Sequence, residues 1–449
     1  MPTDGTTFVN PLGLAFTLLM GMLMLILPRR YALVPVIVLI CYMTMGERVM
    51  IGGLNFTMIR ILVLFGWLRL LARGEIRALK FNSIDKAILL WVVSSIIMHT
   101  FLWQTTQEFI NRLGVAYSAV GTYFLFRYLL RDINDILRVF KIVAVFLAPL
   151  AAMMIVEKMT GRNMFAFFGG VPEVTFVRDG VLRCQGPFAH PILAGTFGAT
   201  SFSVCAALWW QGRVARILAM VGIVSCVIIM VTSGSSGPVL AGLAGLVGMT
   251  MWAARRYFRQ VRWGIALSLI VLHLVMKAPV WFIMARIDVF SGSTGYHRAL
   301  LIDRAVANFA DWWLVGTKST AAWAGEDDHL FDVTNAYINE GANGGLLTLV
   351  LFLTIIVLCF RGVGQAIRAL PGEQRSQLAL WAIGCSLFAH TVTFLSVSYF
   401  DQNFVVWFLL LAIISTSTAL ARSRDTAEPE PAPPVDFQPF PSLRLGSEL

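Results

Sequence analysis

Apolar stretches of about 20 residues recur along the whole of this 449-residue chain. A run of that length is what an α-helix needs to cross a hydrocarbon core of about 30 Å. About thirteen such stretches can be placed, at 10–28, 31–46, 54–72, 84–103, 113–130, 138–157, 190–210, 215–232, 236–253, 262–284, 337–360, 378–397 and 403–421. Only 13% of the residues are charged and 57% are hydrophobic. A soluble domain carries roughly a quarter charged residues, so a water-soluble core would lack the polar surface to cover it. The predicted fold class is therefore all-α: a polytopic transmembrane helical bundle of about 12–13 spans. The transmembrane domain is expected over 1–420, with a Pro-rich tail at 421–449 that is too polar to fold alone and, with Arg422 and Arg424, is expected to be disordered and cytoplasmic.

The first apolar run is followed by Pro28-Arg29-Arg30 and not by a small-residue cleavage site, so it reads as a retained span. The net charge of +10 would suggest nucleic acid in a soluble protein. No basic stripe interleaved with aromatics supports that, and the excess is what cytoplasmic loops of membrane proteins accumulate. Loops carrying Arg29 and Arg30, Arg73 and Arg77, Arg131 and Arg138, Arg213 and Arg216, Arg255 and Arg256, and Arg361 and Arg368 alternate with poorer ones. These are expected on the cytoplasmic side. The two longest loops, at about 158–189 and 285–336, then fall outside. The six cysteines show neither CxxC nor zinc spacing, so no metal or other cofactor is expected.

Polar residues concentrate in these two loops. Arg178 and Arg183 precede a Gly-Pro turn and then His190-Pro191, at the mouth of a span; Pro191 suits a first helical turn. In the second loop the spacing predicts a helix over 296–314, with His297, Leu301, Arg304, Asn308 and Asp311 on a mostly polar stripe. Ala299, Ile302, Val306, Phe309 and Trp313 form its apolar side, suited to a membrane interface. Arg298 and Arg304 break the charge bias of an external loop. Guanidinium groups grip phosphate through planar, multi-donor contacts, although arginines near an interface also reach for lipid phosphates. Farther on, Asp327, Asp328, His329 and Asp332 precede Asn335, and Glu340 follows near the start of a span. His329, Asp332 or Glu340 could take a proton from a hydroxyl. The segment Thr232–Pro238, TSGSSGP, lacks the lysine of a phosphate loop and reads as a tight turn, whose backbone amides near a helix start could assist an anion. His99, His273 and His390 lie inside apolar segments, where ionisable groups raise functional suspicion.

Three of these segments carry a resemblance. Arg183-Cys184-Gln185-Gly186-Pro187-Phe188-Ala189-His190-Pro191 resembles the R-x-x-G-x-F-x-H-P element of the O-antigen ligase and polymerase superfamily. TSGSSGPVLAGLAGLV is similar to its T-x-S-R-G segment, and the stretch from Asp332 to Leu347 resembles its H-N-x-x-L-x-x-x-x-E-x-G element. The order of the three matches too, over roughly residues 80–420. The resemblance implies transfer of a glycan from a polyprenyl-pyrophosphate donor to an acceptor hydroxyl, at the periplasmic face of a bacterial inner membrane. It assigns the pyrophosphate to Arg183 and to Arg298 or Arg304; beside them, His190, Asn335 and Arg178 are expected as further substrate contacts. The implied partners are the lipid-linked oligosaccharide, an acceptor glycan, membrane lipids, and flippase and chain-length-control proteins, with no nucleic acid. The sequence departs from the family pattern where Thr334 replaces the histidine of H-N, where Ser236 replaces the arginine of S-R-G, and where Asn343 replaces the motif glutamate, leaving Glu340 out of register. These departures favour an exopolysaccharide or O-antigen polymerase over a ligase acting on a lipid-linked core sugar; a lipid-oligosaccharide flippase is the alternative of another class.

Overall fold

A computed structural model describes residues 9–51, 54–286, 295–324 and 333–425. Seventeen α-helices follow one another among them: α1 (Pro11–Ile26), α2 (Val34–Tyr42), α3 (Met58–Ala72), α4 (Ser83–Trp103), α5 (Thr106–Ala116), α6 (Thr122–Leu129), α7 (Ile133–Thr160), α8 (Pro191–Ala206), α9 (Arg213–Thr232), α10 (Ser236–Thr250), α11 (Phe258–Val275), α12 (Gly295–Ala307), α13 (Phe309–Trp312), α14 (Ala321–Ala324), α15 (Ala336–Arg368), α16 (Gln374–Thr393) and α17 (Asp401–Asp425). Two short antiparallel hairpins join them. One pairs β1 (Arg48–Ile51) with β2 (Leu54–Thr57), and the other pairs β3 (Phe176–Arg178) with β4 (Val181–Arg183), setting Phe176 opposite Arg183. The chain is an all-α, polytopic helical bundle.

Every predicted span coincides with a helix, but the length criterion separates them. Seven described helices are long and apolar enough to cross a membrane: Ser83–Trp103, Ile133–Thr160, Pro191–Trp210, Arg213–Thr232, Arg255–Val275, Ala336–Arg368 and Asp401–Ser423. The helices α1 and α10 are apolar but shorter. With nine residues, α2 rises only about 14 Å. The segment expected over 113–130 begins earlier, at Thr106, and is one helix in two parts joined by a π-helical turn at Tyr117–Gly121. Likewise α17 runs to Asp425, past the boundary expected at 420.

Local chemistry sets the helix ends. Asn82 and Asp85 form a reciprocal capping box on α4, with Asn82 Oδ1 accepting from the Asp85 amide at 3.1 Å and Asp85 Oδ2 accepting from the Asn82 amide at 2.8 Å. Gly161, at φ 67°, closes α7 in a left-handed turn. Side chains of α2, α4, α6–α9 and α15–α17 share one continuous apolar core. By contrast α11 has no buried residue.

Candidate functional site

The described parts of the loops at 158–189 and 285–336 meet the bundle at one end, where α7, α9 and α16 finish and α8, α10, α15 and α17 begin. Hydrogen bonds knit these ends together. Cys184 N donates to Thr232 O at 3.0 Å, and Ala336 N donates to Phe394 O at 2.8 Å. Glu157, buried in the last turn of α7, accepts from the amides of Gln185 and Gly186 at 3.1 and 2.9 Å. Gln402 donates to the carbonyls of Met43 and Pro187, both at 3.0 Å. The segment from Arg183 to Pro191 is thus fixed from α7, α9 and α17.

Two of the predicted arginines converge on the turn that starts α10. Arg183 is buried at the end of β4, and its Nη2 donates to Ser235 Oγ at 2.5 Å. Its Nε is buried and has no partner among the described residues. The Phe176 ring lies 5.9 Å from the guanidinium carbon. Gly234, at φ 57°, leaves room for the arginine stem, since a Cβ there would come within 3.0 Å of Arg183 Cγ. Arg298, from α12, reaches the same turn: its Nη2 is 3.5 Å from where a Cβ on Gly237 would sit. The two residues come from chain segments more than a hundred positions apart.

The electrostatics of the pair are unbalanced. Burial lowers the proton affinity of Arg298, and the charges of Arg183 and Arg178 lower it further, to about 10. Arg183 is shifted down by burial and by Arg178, with Asp179 partly offsetting this. Both stay cationic at neutral pH. Lys158 adds a fourth cation by donating to Leu182 O behind the hairpin. The first turn of α10 lies in this field with no side chain capping it, because Ser235 donates to Ser233 O at 3.2 Å and accepts from Arg183. Guanidinium groups gathered at an uncapped helix start form a site for a multiply charged anion.

The remaining predicted residues are distributed otherwise. Arg304 is exposed; six residues along a helix turn it about 240° from Arg298, so the structure does not bring it to the pair. Arg178 is exposed on β3 and paired with Asp179 at 3.6 Å, close enough to act on both Arg183 and the half-buried Arg298. His190 is exposed at the N-cap of α8, its Nδ1 accepting from the Ile192 amide at 3.2 Å, with its ring 6.4 Å from Phe176. Asn335 is buried and caps α15: its Oδ1 accepts from the amides of Tyr337 and Ile338, and its Nδ2 donates to Leu395 O. Glu340 turns the other way, toward α4, and accepts from Trp91 Nε1 at 2.9 Å. His329 and Asp332 lie outside the described residues. The helix predicted over 296–314 breaks at Asn308 into α12 and α13. Leu301, assigned by spacing to the polar stripe, is fully buried with Ala299, while Val306, Phe309 and Trp313 are exposed. The reason is that α12 packs on the start of α15 through small residues and Leu301, which meets Val333 and Ile338.

Ser235, Gly237 and Lys158 are parts of the site that side-chain reasoning alone does not find. The signal for Ser235 and Gly237 is the TSGSSGP break itself, whose small residues let two arginines approach the backbone.

No family model matches the chain, and no curated protein matches it. Among solved structures, it is similar to a chain of a peptidoglycan synthase complex described for its coordination of polymerization and crosslinking. The TM-score is 0.40 at 13% identity, covering 78% of this chain and 100% of the other.

Proposed function

We propose that this chain is a membrane glycan polymerase that transfers a saccharide from a polyprenyl-pyrophosphate donor to an acceptor hydroxyl, in O-antigen or exopolysaccharide synthesis. One observation carries the reading: Arg183 and Arg298 converge at the uncapped start of α10, and among the described residues neither makes an ion pair with a carboxylate. A pyrophosphate matches this arrangement in charge. In the reaction the acceptor oxygen loses its proton to a base and bonds to the anomeric carbon, while the bond from that carbon to the pyrophosphate oxygen breaks. Negative charge grows on the departing phosphate, where the two guanidiniums and the α10 amides stabilise it. The base is His329 or Asp332, because Glu340 faces α4 and is held by Trp91. His190, beside Phe176, and Arg178, on the same hairpin, hold neighbouring parts of the substrate, and Asn335 acts by fixing the start of α15. The site faces the periplasm of a bacterial inner membrane.

The test is transfer from a synthetic polyprenyl-pyrophosphate oligosaccharide by the purified protein in lipid nanodiscs. Arg183→Ala and Arg298→Ala each lose about 100-fold or more in rate, the scale of removing a charge-stabilising donor. Arg304→Ala stays within about threefold. A ladder of lengthening products marks polymerisation, and a single addition marks a ligase. Equal activity of all three variants overturns the donor site.

A further inference from the structure

A second polar constellation lies on the opposite side of the start of α15, and the donor site does not use it. Along one face of α4, four residues apart, stand Trp91, Ser95, His99 and Trp103. Glu108 and Arg112, four apart on α5, face this stripe. Glu108 Oε2 lies 3.3 Å from His99 Nε2, and Arg112 Nη2 donates to Ser95 Oγ. Glu340 closes the lower end through Trp91 Nε1 at 2.9 Å. Three ionised or ionisable residue types are thereby drawn into the wall of a membrane bundle, where such groups mark a functional path. The helix carrying Glu108 and Arg112 also contains the π-helical turn at Tyr117–Gly121, a distortion common beside functional sites.

The constellation is incompletely satisfied. His99 is more than nine-tenths buried, and its Nδ1 has no partner among the described residues; the same holds for Arg112 Nε. Above them the stripe opens at Trp103, whose indole stands 6.0 Å from the His99 ring and 6.0 Å from Lys318 Nζ on the loop following α13. Around that mouth, Gln104 is exposed in a left-handed turn at φ 53°, and Gln107 and Asn111 are exposed and hydrogen-bonded along α5. An interfacial anchor needs the tryptophan alone. An indole flanked by amides, a carboxylate, an imidazole and a guanidinium is instead the chemistry that binds a sugar, with the ring against the C–H face and the polar groups on the hydroxyls.

We infer that Trp103, His99, Glu108, Asn111 and Arg112 form a subsite for the acceptor glycan, holding sugar units some distance from the reacting hydroxyl. The identity of the ligand rests on the glycan-transfer reading above. Donor and acceptor sites then flank the first turns of α15, and the subsite governs how long a growing chain is retained.

The experiment measures saccharide binding without turnover. Wild-type protein in nanodiscs is titrated, by tryptophan fluorescence and calorimetry, with oligosaccharides cut from the surface polysaccharide of the source organism; a maltooligosaccharide serves as the non-cognate control. Saturable binding is expected for the wild type. Trp103→Ala, Asn111→Ala and Glu108→Gln weaken it about tenfold or more, keep donor-lipid binding unchanged, and shorten the products. Asn111→Ala, an exposed change, guards against misfolding of the others. Absence of binding to the wild type, or binding by Asn111→Ala and Trp103→Ala as tight as that of the wild type, overturns the subsite and leaves the donor site standing on its own assay. Loss of donor binding in Arg183→Ala with intact saccharide binding separates the two sites; unchanged donor binding in Arg183→Ala overturns the donor reading alone.

Discussion

Glu47 shows how tightly individual residues are held at the loop end of the bundle. Its side chain is fully buried in the turn after α2; Oε1 accepts from the Asn10 amide at 3.1 Å, and Oε2 has no partner among the described residues. Gly13, Gly169 and Gly170 make room for it, and a Cβ on Gly169 would strike the carboxylate. Burial raises its pKa from 4.5 to about 7, with the Asn10 hydrogen bond acting in the opposite direction. The folded chain therefore binds this proton more tightly than the unfolded chain. The stability it contributes is complete below pH 4.5 and is lost as pH rises through about 7. The melting temperature of the purified protein should decline across that window, and Glu47→Gln should flatten the decline. A decline as steep in the variant as in the native protein would exclude Glu47 as its source. Nothing in the sequence pattern singles out Glu47, because its effect comes from three glycines brought together by folding. Arg183 and Arg298 were legible because an arginine in a loop that should lack positive charge is conspicuous. Asn335 was equally conspicuous, yet its amide is engaged in starting a helix, a role that side-chain identity alone does not separate from ligand binding.

Among the elements, α15 carries the sharpest constraint. Gly345 adopts φ 71° and ψ −177° in its interior, and there the helix kinks. The opened backbone takes hydrogen bonds from the loop after α13: Thr317 N donates to Ala342 O, and Leu346 N donates to Trp313 O, each at 2.7 Å. A Cβ at Gly345 would run into the Leu314 carbonyl and lie 3.0 Å from Val315 N. Gly345→Ala meets both a disfavoured backbone conformation and a backbone clash, so it should cost about 3 kcal/mol. It should also make the segment between Asn308 and Trp323 more readily cleaved in limited proteolysis; unchanged cleavage and melting would refute the docking. The motif resemblance placed a glycine at this position but gave no physical role for it. The helix pair α4–α5 was less legible. Gln107, Glu108, Asn111 and Arg112 depress the hydropathy of the first turns of α5, so the apolar window starts at 113 and the residues facing His99 fall outside it.

At the scale of the molecule, a buried ion pair joins three helices at the arginine-rich end. Arg127 on α6 donates from Nε to Asp85 Oδ1 at 3.0 Å and from Nη2 to Oδ2 at 3.2 Å, and from Nη1 to Thr416 Oγ1 on α17 at 3.0 Å. Tyr123 and Ser415 donate to the same carboxylate at 2.5 and 3.0 Å. Both charged residues are almost completely buried. Breaking such a pair from one side strands the other charge and typically costs about 3–5 kcal/mol. Arg127→Met should therefore destabilise the bundle by about that amount, and adding Asp85→Asn should recover part of it, because the amide still accepts from Tyr123. Additive losses in a double-mutant cycle would contradict the coupling. The all-α architecture was legible from hydropathy, whereas this lock was not, since Asp85 and Arg127 sit near span ends where charges are ordinary. The isolation of α11 bears on the opposite end of the molecule. With no buried side chain of its own, α11 adds no packed core beneath the segment that follows it. The position of Arg298 is set by how α12 seats on the 280–286 segment, where Gly295 lies against the Met284 carbonyl, and by Leu301 meeting Ile338, so the geometry of the arginine pair depends on a seam between surfaces more than on the continuity of the chain.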